Sequence, residues 1–137
     1  MKENHRFNSS RGAVFLLYTH LVFVTKYRRS VFSKDHLVEM KAVFYSVCRG
    51  LGACLEEFDG EENHVHLLVR YPPKVSISLL AGRLKGASSK ILKDVFDDLF
   101  VCSKGGALWS PSYCAVSCGG ASLDVVKKYI QNQCTPI

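Results

Sequence analysis

The chain has 137 residues, 47% apolar and 22% charged, and Lys plus Arg exceed Asp plus Glu by 18 to 12, a net charge of +6. That length suits one compact domain with one core, and the apolar share excludes an intrinsically disordered chain. The pI near 9.1 favours a polyanionic partner, nucleic acid or an anionic membrane surface, although many ordinary soluble proteins carry as much charge.

In chain order, residues 1–12 are polar and are expected to form a disordered leader, with 13–137 a single domain. The apolar run 13–24 is shorter than the ~20 residues that span a bilayer. It contains His20, and Lys26-Tyr27-Arg28-Arg29 follows it where a signal peptide would have small residues. A cytoplasmic protein with no membrane partner is therefore expected. Its β-branched and aromatic content predicts a strand over 13–27, apolar on both faces and so central in a sheet.

Ser33 predicts an N-cap for a helix to about Arg49, with Leu37, Met40, Phe44, Val47 and Leu51 on one face. Strands over 53–58 and 63–71 follow, joined by a bend at Asp59-Gly60 and closed by Pro72-Pro73. Ser76 caps a second helix, which Gly86 is expected to interrupt before a further segment over 88–100. Residues 108–118 read as one or two short strands broken by Pro111, and Gly119-Gly120 leads into a last helix over about 122–133. The order βαββαβα implies an α+β fold with a mostly antiparallel sheet.

Six cysteines, at 48, 54, 102, 114, 118 and 134, form no Cys-x-x-Cys pair. They read as buried or free thiols in a reducing cytosol. A zinc site on Cys114 and Cys118 is the lesser alternative.

Three constellations can carry chemistry. His64 and His66 lie two apart on a predicted strand, so both imidazoles project from one face and offer a pair of metal ligands; Glu62 would share that face. Read alone, the same pattern fits two surface histidines equally well. Tyr129 and Gln133, four apart on the last helix, share a face flanked by Lys127 and Lys128. A partly buried tyrosine beside a solvent-facing glutamine is the plainer reading. Attack on phosphate by tyrosine needs nearby positive charge or a metal, since its free pKa is about 10. The third constellation is basic and aromatic. Lys26 and Arg28 would share one strand face with Tyr27 and Arg29 on the other, and Arg83, Lys85, Lys90 and Lys93 line the middle helical region with Ser88 and Ser89. Such residues grip phosphates and stack on bases, or simply face solvent.

Five segments, taken together and in order, resemble a known family. They are 19–29 (Thr-His-Leu-Val-Phe-Val-Thr-Lys-Tyr-Arg-Arg), 63–69 (Asn-His-Val-His-Leu-Leu-Val), 76–89 ending Leu-Lys-Gly-Ala-Ser-Ser, 108–113 (Leu-Trp-Ser-Pro-Ser-Tyr) and 126–133 (Val-Lys-Lys-Tyr-Ile-Gln-Asn-Gln). The chain resembles the single-tyrosine transposases of the HUH nuclease superfamily. The resemblance implies a ferredoxin-like βαββαβ sheet with an additional C-terminal helix carrying the tyrosine. It implies that Tyr129 is the nucleophile and that His64, His66 and Gln133 hold Mg²⁺ or Mn²⁺, where imidazoles alone would point toward zinc. It further implies cleavage and rejoining of single-stranded DNA with a hairpin at the ends of a mobile element, through a 5′-phosphotyrosine. The implied assembly is a homodimer in which the tyrosine helix of one subunit completes the site of the other. Lys26, Arg28, Arg29, Arg83, Lys85 and Lys90 are the expected DNA contacts. The family often has Asp before the first histidine; this chain has Asn63. A non-catalytic nucleic-acid binder, or a relative recruited to repeated hairpins, is the alternative.

Overall fold

The computed structural model describes residues 7–10, 12–118 and 127–128. Two short strands, β1 (Asn8–Ser10) and β2 (Ala13–Phe15), pair antiparallel. Residues 8–10 fall in the stretch expected to be a disordered leader. They pair because strand hydrogen bonds are made by the backbone, whatever the side chains, and Gly12 takes the positive φ of +79° that the turn requires.

The main sheet holds β3 (Tyr18–Val24), β4 (Cys54–Gly60), β5 (His64–Arg70) and β6 (Cys114–Cys118) in the order β4-β5-β3-β6, every neighbour antiparallel. This is the expected α+β, ferredoxin-like plan. All seven residues of β3 are buried, as its apolar content on both faces requires.

Helix α1 (Lys34–Gly50) starts at a capping box in which His36 takes the part usually given to Glu or Gln. Its Nδ1 accepts from the Ser33 amide at 2.9 Å, while Ser33 Oγ accepts from the His36 amide. The other ring nitrogen, Nε2, faces Asp98 on α3 (Asp97–Ser103) at 3.1 Å. Helix α2 (Ile77–Val95) runs unbroken through Gly86. One glycine costs only about 1 kcal/mol in a helix, and the apolar face continuing to Leu92 outweighs it. The break falls instead at Phe96, whose backbone is extended.

Met40, Phe44 and Cys48 of α1 and Leu80, Leu84 and Leu92 of α2 pack on Leu21, Phe23, Val65, Leu67 and Val69 of the sheet. The next residues along each strand point to the other face. That second face carries Tyr18, His20, Val22, Val24, Asp59, His64, His66, Leu68 and Cys114, by the registers His66↔Val22 and His66↔Asp59. No helix among the described residues is long and apolar enough to cross a membrane.

The bend between β4 and β5 is Glu61–Asn63, with the Glu61 amide bonded to the His64 carbonyl at 2.8 Å, rather than Asp59-Gly60. Gly60 lies within the strand. A Cβ there would come within 2.6 Å of Leu37 Cδ2, so α1 approaches this strand closely and the Leu37 side chain would have to shift for any larger residue.

Candidate metal centre and nucleic-acid interface

His64 and His66 both stand on the second sheet face, ring centroids 5.1 Å apart and planes at 79°. His64 is half-buried at the mouth of β5, and His66 is 2% exposed. Asn63 Oδ1 lies 2.8 Å from His64 Nδ1. With that oxygen as acceptor, Nδ1 carries the proton and Nε2 keeps its lone pair, the arrangement a ligating histidine needs. His66 Nε2 is buried with no hydrogen-bond partner among the described residues, an expensive omission unless something else occupies that lone pair. Burial, reinforced by His20, His64 and Lys127, pushes His66 down to about 3. Burial also lowers His64. Both are therefore neutral near pH 7, as ligands must be.

The donor set thus fits a divalent cation. Among the described residues, however, no group of three or more His, Cys, Asp or Glu side chains is arranged to hold one by itself. Tyr129 and Gln133 lie outside the described residues. Lys127 and Lys128 are helical, and Lys127 Nζ meets the Asp59 carboxylate. Asp59 is the cross-strand neighbour of His66, so the segment just before Tyr129 comes to the histidine face.

Two expectations about this face change. Glu62 sits in the bend before β5, with an exposed side chain, because the strand begins only at His64. The carboxylates acting on His64 are Glu61 and Asp59. Cys114 and Cys118 stand four residues apart on an extended strand, roughly 13 Å at about 3.4 Å per residue, too far to share one zinc ion.

Sequence reasoning misses His20 as a site residue. It is fully buried on β3, with Nε2 3.1 Å from His66 Nδ1. A lone histidine inside an apolar strand reads as core, and its partner lies 46 residues away. Only the β3–β5 register brings them together.

The basic residues divide by what they touch. The expected alternation of Lys26–Arg29 fails because β3 ends at Val24 and Lys26–Arg28 form a 3₁₀ turn. Tyr27 and Arg28 adopt φ of +61° and +53°, a conformation non-glycine residues rarely take. It leaves Tyr27 76% exposed, with the Lys26 ammonium 5.4 Å and the Arg29 guanidinium 5.1 Å from its ring centre. Val24 pairs with His64, so this turn emerges beside the histidines, and Arg28 is close enough to act on His64.

Arg29 Nη1 donates to the Cys102 carbonyl at 2.6 Å. Lys85 Nζ donates to the carbonyls of Ser110 at 2.7 Å and Ser112 at 3.1 Å, and burial lowers its pKa. Lys93 Nζ donates to the Gly106 carbonyl at 2.5 Å. Ser88 Oγ is buried, accepting from Trp109 Nε1 at 2.9 Å, and Ser89 Oγ accepts from the Leu108 amide. Lys85, Ser88, Ser89 and Lys93 hold the 105–112 loop against α2, and Arg29 ties the turn after β3 to α3. Arg83 is exposed, and Lys90 is exposed in an i,i+4 pair with Asp94. A groove of about 560 Å³ lined by Lys85, Lys90 and Lys93 shares Ser110 and Pro111 with one lined by Lys26, Tyr27 and Arg28. The two basic regions therefore border the same loop.

Comparison with known proteins decides the family. The family model described as "Transposase IS200 like" matches residues 13–133. This chain belongs to the IS200-like transposase family. A relative of this IS200-like transposase is the ISDra2 transposase TnpA of Deinococcus radiodurans, 30% identical over 123 residues, which are 90% of this chain and 88% of that one. The transposase for insertion sequence element IS200 of Salmonella typhimurium is 31% identical over 114 residues, 83% of this chain and 74% of that one. A crystal structure from Deinococcus radiodurans R1, assigned as a transposase, superposes with a TM-score of 0.77 at 30% identity, over 93% of this chain and 98% of the other. A REP-associated tyrosine transposase bound to a REP hairpin shares the fold, with a TM-score of 0.57 at 10% identity over 90% and 68% of the two chains.

Proposed function

We propose that this transposase cuts and rejoins single-stranded DNA at the ends of a mobile element through Tyr129, with Mg²⁺ or Mn²⁺ held by His64, His66 and Gln133. The observation that carries the reading is the pair of adjacent imidazoles on β5, with buried His66 Nε2 lacking a partner among the described residues. The Lys127–Asp59 contact supports Tyr129 as nucleophile. Tyr129 is two residues on from Lys127, and two residues of chain span at most about 7 Å, which favours this reading.

In this reading Tyr129 Oη attacks the scissile phosphorus, and the P–O3′ bond breaks as the P–Oη bond forms. The phenolic proton goes to solvent and the departing 3′ oxygen takes one up, leaving a 5′-phosphotyrosine and a free 3′-hydroxyl. The phosphodiester energy stays in that link, so a new 3′-hydroxyl reverses the step without a nucleotide cofactor. A bound divalent cation supplies Lewis-acid polarisation of a phosphate oxygen and stabilises charge on the leaving oxygen. Lys26, Arg28, Arg83 and Lys90 grip the backbone, and Tyr27 offers an exposed ring on which an unpaired base can stack. A hairpin next to the cut strand is the proposed DNA partner, in line with the hairpin bound by the REP-associated neighbour.

The homodimer belongs to the same proposal. In a crossed dimer, Lys127 of one chain meets Asp59 of the other, which preserves the contact seen within one chain. Incubation with single-stranded DNA from the flanking genomic region and Mg²⁺, followed by a denaturing gel, tests the reading. A covalent protein–DNA adduct that disappears on chelation is expected. Binding without an adduct in either Mg²⁺ or Mn²⁺ would reduce the protein to a non-catalytic binder.

A further inference from the structure

A histidine that ligates a metal through Nε2 must carry its proton on Nδ1, and that proton needs an acceptor to fix the ring's tautomer and angle. His64 has Asn63 Oδ1 for this purpose. His66 Nδ1 has one side-chain neighbour at hydrogen-bond distance among the described residues, His20 Nε2 at 3.1 Å. The two rings are inclined at 42° with centroids 5.2 Å apart. Both residues are buried, His20 completely, and each rises from a central strand whose register is pinned on both sides. The remaining ring nitrogens, His20 Nδ1 and His66 Nε2, lack partners among the described residues. One assignment is consistent with a lone pair at His66 Nε2: His66 Nδ1–H donates to His20 Nε2, and His20 keeps its own proton on Nδ1.

We infer that His20 is a positioning residue which accepts the Nδ1 proton of His66 and so presents His66 Nε2 to the divalent cation. This rests on the proposed metal reading. Burying a His20 Nδ1–H with no partner among the described residues costs stability that an apolar residue of similar size would recover. A residue selected only for packing on this face would accordingly be leucine or valine, as Val22 and Val24 are.

Mn²⁺ binding, followed by electron paramagnetic resonance on the full chain without DNA, tests it, with thermal melting alongside. His20→Leu removes the acceptor and is expected to raise the Mn²⁺ Kd by about 10–100-fold while the Tm holds or rises. His20→Gln places an amide oxygen near the former Nε2 and is expected to stay within a few-fold of the parent. In ¹⁵N NMR, the metal-loaded (Zn²⁺ as diamagnetic probe) and the metal-free parent should both show His66 protonated at Nδ1. If His20→Leu binds Mn²⁺ as tightly as the parent, or His66 is protonated at Nε2, His20 is only packing and the inference is overturned. If His20→Leu does not fold, His20→Gln and the parent's NMR still decide. A parent that binds no Mn²⁺ overturns the metal reading and this inference with it; equal binding by parent and His20→Leu overturns this inference alone.

Discussion

Asn63 and His64 are neighbours in the chain and are also joined side chain to side chain, Asn63 Oδ1 lying 2.8 Å from His64 Nδ1. The amide oxygen orients the ring and adds no charge. A carboxylate partner raises ligand basicity. Asn63→Asp should therefore tighten Mn²⁺ binding several-fold, and Asn63→Ala should weaken it by about tenfold or more. Calorimetric titration reads both, and an unchanged Asn63→Ala would show that the contact does not serve the metal.

Tyr129→Phe deletes only the phenolic oxygen. Affinity for single-stranded DNA should survive while cleavage and the covalent adduct disappear. His64→Ala and His66→Ala should each abolish cleavage, with Gln133→Ala milder because a neutral amide oxygen would be the weakest of the three proposed ligands. An adduct formed by the Phe variant would move the nucleophile elsewhere.

The basic residues should separate into two groups by experiment. Lys26→Ala with Arg28→Ala should make the plot of log affinity against log salt shallower by about 1.4, at about 0.7 for each single-strand phosphate that is no longer neutralised. Arg29 and Lys85 instead donate to backbone carbonyls. Their alanine variants should each lose about 1–2 kcal/mol of stability, with less effect on the slope. Urea melts beside salt titrations separate these outcomes, and a slope that follows Lys85 alone would reverse the division.

Cys48 is fully buried, and burial, with Cys54 nearby, pushes its thiol from 9.0 up to about 12. The unfolded chain then releases this proton at lower pH than the folded chain. Stability from the shift is complete below about pH 9 and is lost as pH rises from there toward 12. The stability difference between parent and Cys48→Ala should accordingly shrink over that window, and Cys48 should resist alkylation until the protein unfolds. A difference that stays flat from pH 8 to 11 would contradict the burial.

Gly60 and Leu37 are in direct competition for space, since an added Cβ would lie 2.6 Å from Leu37 Cδ2 and 3.3 Å from Val65 Cγ1. Gly60→Ala should cost about 1 kcal/mol, and the cost should vanish in a Leu37→Ala background. A double-mutant cycle measures the coupling; additive effects would mean the helix gives way instead.

The sequence by itself was enough for part of what depends on short-range periodicity. The period-two spacing of His64 and His66 put both rings on one face, Ser33 and Ser76 marked the helix starts, and the apolar content of 18–24 on both faces required a central strand. Adjacency between strands was not legible, because register depends on packing across distant parts of the chain. The His20–His66 contact, the Asp59–Lys127 contact and the close approach of Leu37 to Gly60 all span 23 or more residues and exist only once the sheet is assembled. The fates of the basic side chains were hidden for a related reason. A lysine on a helix reads as solvated, yet Lys85 is half-buried and spends its donors on the Ser110 and Ser112 carbonyls, because the loop folded against α2 brings those carbonyls within reach of its ammonium. Sequence spacing therefore determined which residues can share a face, and the tertiary structure decided which of them spend their polar groups on the protein's own backbone.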